Sequence, residues 1–113
     1  MEAFDTIIGQ NVKLQGNVSN QGAIQVNGIV EGEIQSGSTV IVGPGAVVKG
    51  PIKAKVVEVS GEVQGPITAT ERLEIQPKGK LLGDSTTRSL VIKLGAVFIG
   101  KSELIQDAGK DKS

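Results

Sequence analysis

One stretch of the chain matches a nucleotide-binding pattern letter for letter: Gly95-Ala96-Val97-Phe98-Ile99-Gly100-Lys101-Ser102 reads GxxxxGK[ST]. The chemistry of that pattern is phosphate binding. It needs a flexible loop between a buried strand and a long helix, with backbone N–H groups free to surround the anion. Here the four intervening residues are apolar, and Phe98 takes its place in an alternating apolar pattern that runs through the whole chain. Eleven residues follow Ser102, too few for the helix and further strands of a nucleotide domain. The match is read as coincidence, and neither nucleotide nor any other cofactor is expected.

Carboxylates are the next chemistry-bearing groups. Glu31 and Glu33, Glu58 and Glu62, and Glu71 and Glu74 are close enough in sequence to suggest an acid–base pair of the kind that cleaves glycosidic bonds. Lys49, Lys53, Arg72 and Lys78 are interspersed with them, which fits a solvated face of mixed sign better than a catalytic cluster. The threonines form no continuous column of the kind an ice-binding surface needs. Histidine, cysteine, tryptophan and tyrosine are all absent, which removes the usual general base, the usual soft metal ligands and most stacking surface. An acyltransferase or a zinc carbonic anhydrase on a left-handed β-helix would require histidines. Twelve basic and twelve acidic residues cancel, so no net field draws the chain towards nucleic acid. The chain opens without the charged and apolar regions of a secretory signal, so a cytoplasmic protein is expected.

The elements that carry these residues are short strands joined by turns. An apolar-x-Gly unit recurs as Leu14-Gln15-Gly16, Val30-Glu31-Gly32, Val48-Lys49-Gly50, Val63-Gln64-Gly65, Leu81-Leu82-Gly83 and Phe98-Ile99-Gly100. The anchoring glycines are 16, 18, 15, 18 and 17 residues apart. Before each later anchor stands an alternating pair: Ile24 and Val26, Val40 and Val42, Val57 and Val59, Leu73 and Ile75, Leu90 and Ile92. Turn residues separate the segments, as at Asn27-Gly28, Gly43-Pro44-Gly45, Ser60-Gly61 and Pro77-Lys78-Gly79. A coil of this period has a perimeter of about 56 Å, enough for three short sides around one layer of side chains. Six such coils predict an all-β, single-domain parallel β-helix (a solenoid) of triangular section, with a rod length of about 29 Å. Like residues then stack in columns, one running Leu14, Val30, Val48, Val63, Leu81, Phe98 and another Val18, Ile34, Ile52, Ile67. Ser85 and Ser102 interrupt the second column.

These segments resemble the bactofilins, bacterial cytoskeletal proteins. The likeness is carried by Ala23-Ile24-Gln25-Val26-Asn27-Gly28, Val40-Ile41-Val42-Gly43-Pro44-Gly45, Val59-Ser60-Gly61-Glu62-Val63-Gln64-Gly65, Ala69-Thr70-Glu71-Arg72-Leu73-Glu74-Ile75 and the run Leu90 to Gly100. It extends over about residues 6 to 105. The resemblance implies a right-handed coil and filaments that form without nucleotide and without polarity. It also implies association with the inner face of the bacterial membrane and a role in cell shape. Its partners would be further copies of the chain, inner-membrane lipid and cell-envelope proteins.

The division expected is a short N-terminal tail over residues 1–5, a polymerisation domain over 6–105 and a polar disordered tail over 106–113. A coil stack exposes unpaired backbone at both ends, and nothing in the sequence reads as a cap for either. The expected polymer interface is Phe98, Leu104, Leu90 and Ile92 at one end and Ile8, Val12 and Leu14 at the other. Outward positions that turn apolar near the C-terminal end, Leu82, Ile99 and Val91, are expected to make a lateral contact. The lead-in from Met1 to Ile8 is expected to be a disordered strand; the alternative, drawn mainly from the resemblance, is a membrane contact through Met1 and Phe4, which can share one side of a short helix with Ile8. The alternatives are a monomeric β-helical binding module or a carbohydrate-active enzyme.

Overall fold

A computed structural model describes residues 6–104. Alternation within each short segment makes strands, and turn residues bend the chain between them. The first coil comprises β1 (Thr6–Ile8), β2 (Lys13–Gln15) and β3 (Val18–Asn20); the second, β4 (Ile24–Val26), β5 (Ile29–Glu31) and β6 (Ile34–Ser36). The third holds β7 (Thr39–Val42), β8 (Val47–Lys49) and the start of β9 (Ile52–Val59). The rest of β9, β10 (Glu62–Gln64) and the start of β11 (Ile67–Ile75) make the fourth. The fifth takes the rest of β11, then β12 (Lys80–Leu82) and β13 (Ser85–Thr87); the sixth is β14 (Leu90–Ile92), β15 (Val97–Ile99) and β16 (Ser102–Leu104). All pairings are parallel and join each coil to the next, giving a three-sided β-solenoid of six turns.

The stack is in register. Leu14, Val30, Val48, Val63, Leu81 and Phe98 lie one upon another on the second face. Ile24, Val40, Val57, Leu73 and Leu90 do so on the first, with Ile8, Val26, Val42, Val59, Ile75 and Ile92 beside them. The second-face column is the one expected from the sequence, and so is the column Val18, Ile34, Ile52, Ile67 on the third face. The inward side chains of the middle coils are fully buried and form one continuous core. Each is worth about 1.5–3 kcal/mol over an exposed counterpart.

Coil spacing is tight enough to dictate the glycines. At the corner between the second and third faces, Gly16, Gly32, Gly50, Gly65, Gly83 and Gly100 all have φ between 130° and 148°. A Cβ on Gly65 would sit 2.6 Å from the Gly50 carbonyl oxygen. Neither the conformation nor the approach suits an L side chain. Pro51 and Pro66 follow two of these glycines, and their carbonyls accept the Ile34 and Ile52 N–H groups at 2.9 Å. Two of the non-proline residues at this corner have their N–H met by an Asx side chain of the preceding coil. Asn17 Oδ1 accepts from Glu33 N at 3.2 Å, and Asp84 Oδ1 from Lys101 N at 3.1 Å.

The corner between the first and second faces explains the uneven period. Coils 1, 3, 5 and 6 close it with four-residue turns, bonded from Val12 N to Gly9 O, Ala46 N to Gly43 O, Gly79 N to Gln76 O and Ala96 N to Lys93 O. Coils 2 and 4 cross it on Asn27-Gly28 and Ser60-Gly61. At the third corner β9 and β11 run through unbroken. The one register shift between them, at Ala69/Arg72, absorbs the residue by which β11 is longer.

Candidate functional site: the ends of the rod

The phosphate-loop match lies in the last coil, and its backbone is part of the ladder. Ala96 N donates to Lys93 O at 3.0 Å, Val97 N to Gly79 O at 2.9 Å and Lys101 N to the Asp84 carboxylate. Val97–Ile99 is strand β15, and Ser102 begins another strand rather than a helix. Three of its backbone donors are therefore already engaged, and the segment is a strand rather than a flexible loop able to surround a phosphate.

The carboxylates are likewise occupied or apart. Glu31 is 3.7 Å from the Lys13 ammonium and accepts from Gln15 at 3.1 Å; Glu74 is 3.3 Å from the Arg72 guanidinium and accepts from Gln76 at 2.9 Å. Glu58 and Glu62, neighbours in sequence, fall on different faces. Glu58 instead lies in register with Glu74. Among the described residues, no group of three His, Cys, Asp or Glu side chains could hold a metal ion.

The ends have a different chemistry. Among the described residues, β1, β2 and β3 pair only with the second coil, and β14, β15 and β16 only with the fifth, so each end presents three strand edges that no described residue pairs. Up to the fifth coil, each column glycine donates its N–H to a carbonyl of the following coil: Gly16 to Glu31, Gly32 to Lys49, Gly50 to Gln64, Gly65 to Leu82 and Gly83 to Ile99. Gly100 is the last of that column.

The expected interface residues are brought together at the two ends. At the C-terminal end Leu90 and Phe98 are half-buried, Ile92 is 45 % exposed and Leu104 60 %, although all four occupy inward positions. At the N-terminal end Leu14 is half-buried and Val12 is exposed. Ile8 differs from expectation. It is a β1 residue paired with Val26 and is only 6 % exposed. It does not share a helix with Met1 and Phe4, whose own positions lie outside the described residues. At the far corner of the same end, Asn20 Nδ2 donates to Thr6 Oγ1. The N-terminal end is therefore more closed and more polar than the C-terminal one.

Of the three lateral residues, Leu82 and Ile99 are adjacent outward neighbours on the second face. Val91 is not part of that patch. It lies in register with Glu74 on the first face, because its strand is β14 rather than β15. Sequence reasoning missed Leu94, which is 94 % exposed at the tip of the last turn. Its signal was present, since the equivalent turn positions are Gln10, Pro44 and Pro77.

Strands that stack in register and end on open edges define a β-solenoid able to lengthen by adding further coils. The chain belongs to the bactofilin family: the family model, described as polymer-forming cytoskeletal, matches residues 6–103. It is 35% identical over 100 residues to bactofilin BacP of Myxococcus xanthus (strain DK1622), covering 88% of this chain and 42% of BacP. Bactofilin BacO of the same organism is 28% identical, with 88% of this chain and 79% of BacO covered. The chain thus spans less than half the length of BacP. Two solved structures share the fold. The cryo-EM reconstruction of Thermus thermophilus bactofilin double helical filaments matches with a TM-score of 0.77 at 26% identity, covering 86% of this chain and 96% of that one. The solid-state NMR structure of the cytoskeletal bactofilin BacA matches with a TM-score of 0.78 at 30% identity, covering 89% and 96%.

Proposed function

We propose that this chain polymerises end to end, its terminal coils stacking on further copies to make filaments that need no nucleotide. The observation that carries the reading is the C-terminal end. There Phe98, Leu90, Ile92 and Leu104 continue the buried core columns yet stay partly open to water, beside strand edges that no described residue pairs. Covering them removes apolar surface from water and supplies partners to the edge backbone in one step. The filaments reconstructed for the Thermus relative support the reading.

The reading extends in two directions. Leu82 and Ile99 make a lateral contact between filaments, an apolar pair on an otherwise polar outward column of Gln15, Glu31, Lys49 and Gln64. Filaments lie at the cytoplasmic face of the inner membrane, with Met1 and Phe4 as the lipid contact and cell-envelope proteins as partners; this part rests on the family resemblance. Negative-stain microscopy of the purified chain, without nucleotide, tests the main proposal. Long unbranched filaments are expected, and monodisperse single rods at high concentration would contradict it.

A further inference from the structure

The sixth coil is the least closed part of the rod. No side chain of β14, β15 or β16 is fully buried, whereas the first coil already buries Ile8. The third face is the weakest. β16 pairs with β13 alone, and β13 turns Ser85 and Thr87 inward where the preceding coil has Ile67 and Ala69. Thr87 Oγ1 donates to Ser89 O at 3.1 Å. Ser85 is 2 % exposed, and its Oγ has no hydrogen-bond partner. Above it, Ser102 and Leu104 are exposed. What holds β16 is therefore its ladder and two corner bonds, Ser85 N to Lys101 O at 2.8 Å and Lys101 N to Asp84 Oδ1 at 3.1 Å. Hydrogen bonds at an exposed edge exchange readily with water and add little unless apolar burial reinforces them.

We propose that the sixth coil, with β16 as its loosest strand, is a strap that opens in the free subunit and is locked by the next copy. This rests on the filament reading above. When a second copy stacks on the end, Ile92, Phe98 and Leu104 gain the covering they lack, and the strap is held from both sides. In the free subunit, opening lets water reach Ser85 Oγ and relieves its unpaired burial, so Ser85 biases the coil towards opening. An isoleucine, as at Ile34, Ile52 and Ile67 in the same column, would close it permanently. Strap closure and subunit addition are then one event, and Ser85 sets the concentration at which filaments form.

Hydrogen–deuterium exchange on the wild-type chain, diluted below filament formation and again as filaments, tests this. In the free chain, amides of residues 97–104 should exchange roughly 100-fold faster than those of β9 and β11, and filaments should remove the difference. Ser85→Val should slow exchange of residues 102–104 in the free chain by about tenfold or more and lower the concentration needed for filaments. Ser85→Ala, which removes the hydroxyl without adding bulk, should act in the same direction to a smaller extent. Uniform protection along the free rod would overturn the proposal, as would exchange unchanged by both substitutions. Absence of filaments at any concentration is seen separately, by microscopy, and contradicts the filament reading instead.

Discussion

Phe98 lies in register on Leu81, at the end of a column that begins at Leu14, yet Leu81 is fully buried and Phe98 only half. The two occupy the same inward position in successive coils. What separates them is that Leu81 has a coil on both sides and Phe98 on one. That difference is the physical basis of the assembly proposed above, since a further copy would give Phe98 the neighbour that Leu81 already has.

Column glycines and turn glycines should respond differently to alanine. Gly65 combines φ 146° with a Cβ position 2.6 Å from Gly50 O, whereas Gly45, at φ 81°, has nothing within 4 Å. Gly45→Ala should cost about 1–2 kcal/mol, the penalty of a left-handed residue alone. Gly65→Ala should cost at least about 3 kcal/mol, because two coils must also move apart. Urea denaturation followed by circular dichroism separates the two.

Lys101 stands where a phosphate-binding lysine would, but its fixed contacts are made by its backbone, the N–H with Asp84 and the carbonyl with Ser85 N. Lys101→Ala should therefore leave filament formation and stability within about 0.5 kcal/mol of the parent, as expected for an exposed side chain. ATP with magnesium should have no effect on either protein. Sedimentation of polymer with and without nucleotide is the check, and nucleotide-dependent pelleting would restore the phosphate-loop reading.

The lateral contact is tested by Leu82→Glu combined with Ile99→Lys. Both side chains point outward, so the fold should tolerate the change. Bundles and sheets should give way to separate filaments in electron micrographs. Unchanged bundling would place the contact elsewhere.

The columns were legible in the sequence because a glycine every 15 to 18 residues fixes the coil, and alternation then says which neighbours face inward. Ser85 and Ser102 fall in the Ile34–Ile52–Ile67 column as the repeat places them. Other features were harder to read. Alternation separates inside from outside but does not say which of three faces a residue occupies, so from sequence Val91 reads as a neighbour of Leu82 and Ile99. The exposure of Leu94 comes from a turn that protrudes beside the Pro77–Lys78 turn. The inward–outward alternation of the strands does not encode that, although comparison with Gln10, Pro44 and Pro77 at the equivalent turn positions does. Ile8 reads as a terminal residue in sequence but belongs to a paired strand, and pairing with Val26 is what draws it inward.

The central claim is that the end coil is a joint, and arginine at two positions of one column tests it most directly. Phe98→Arg puts a charge into the joint, where an unpaired buried charge costs several kcal/mol, but in a free rod the long side chain can bend out to water. Val48→Arg puts the same charge in mid-column, where Val48 is fully buried between Val30 and Val63 and has no such exit. Light scattering and circular dichroism of the two variants side by side should show Phe98→Arg as a soluble, β-rich monomer or dimer and Val48→Arg as unfolded. Normal filaments from Phe98→Arg would contradict the account, and an unfolded Phe98→Arg would make that residue core rather than joint.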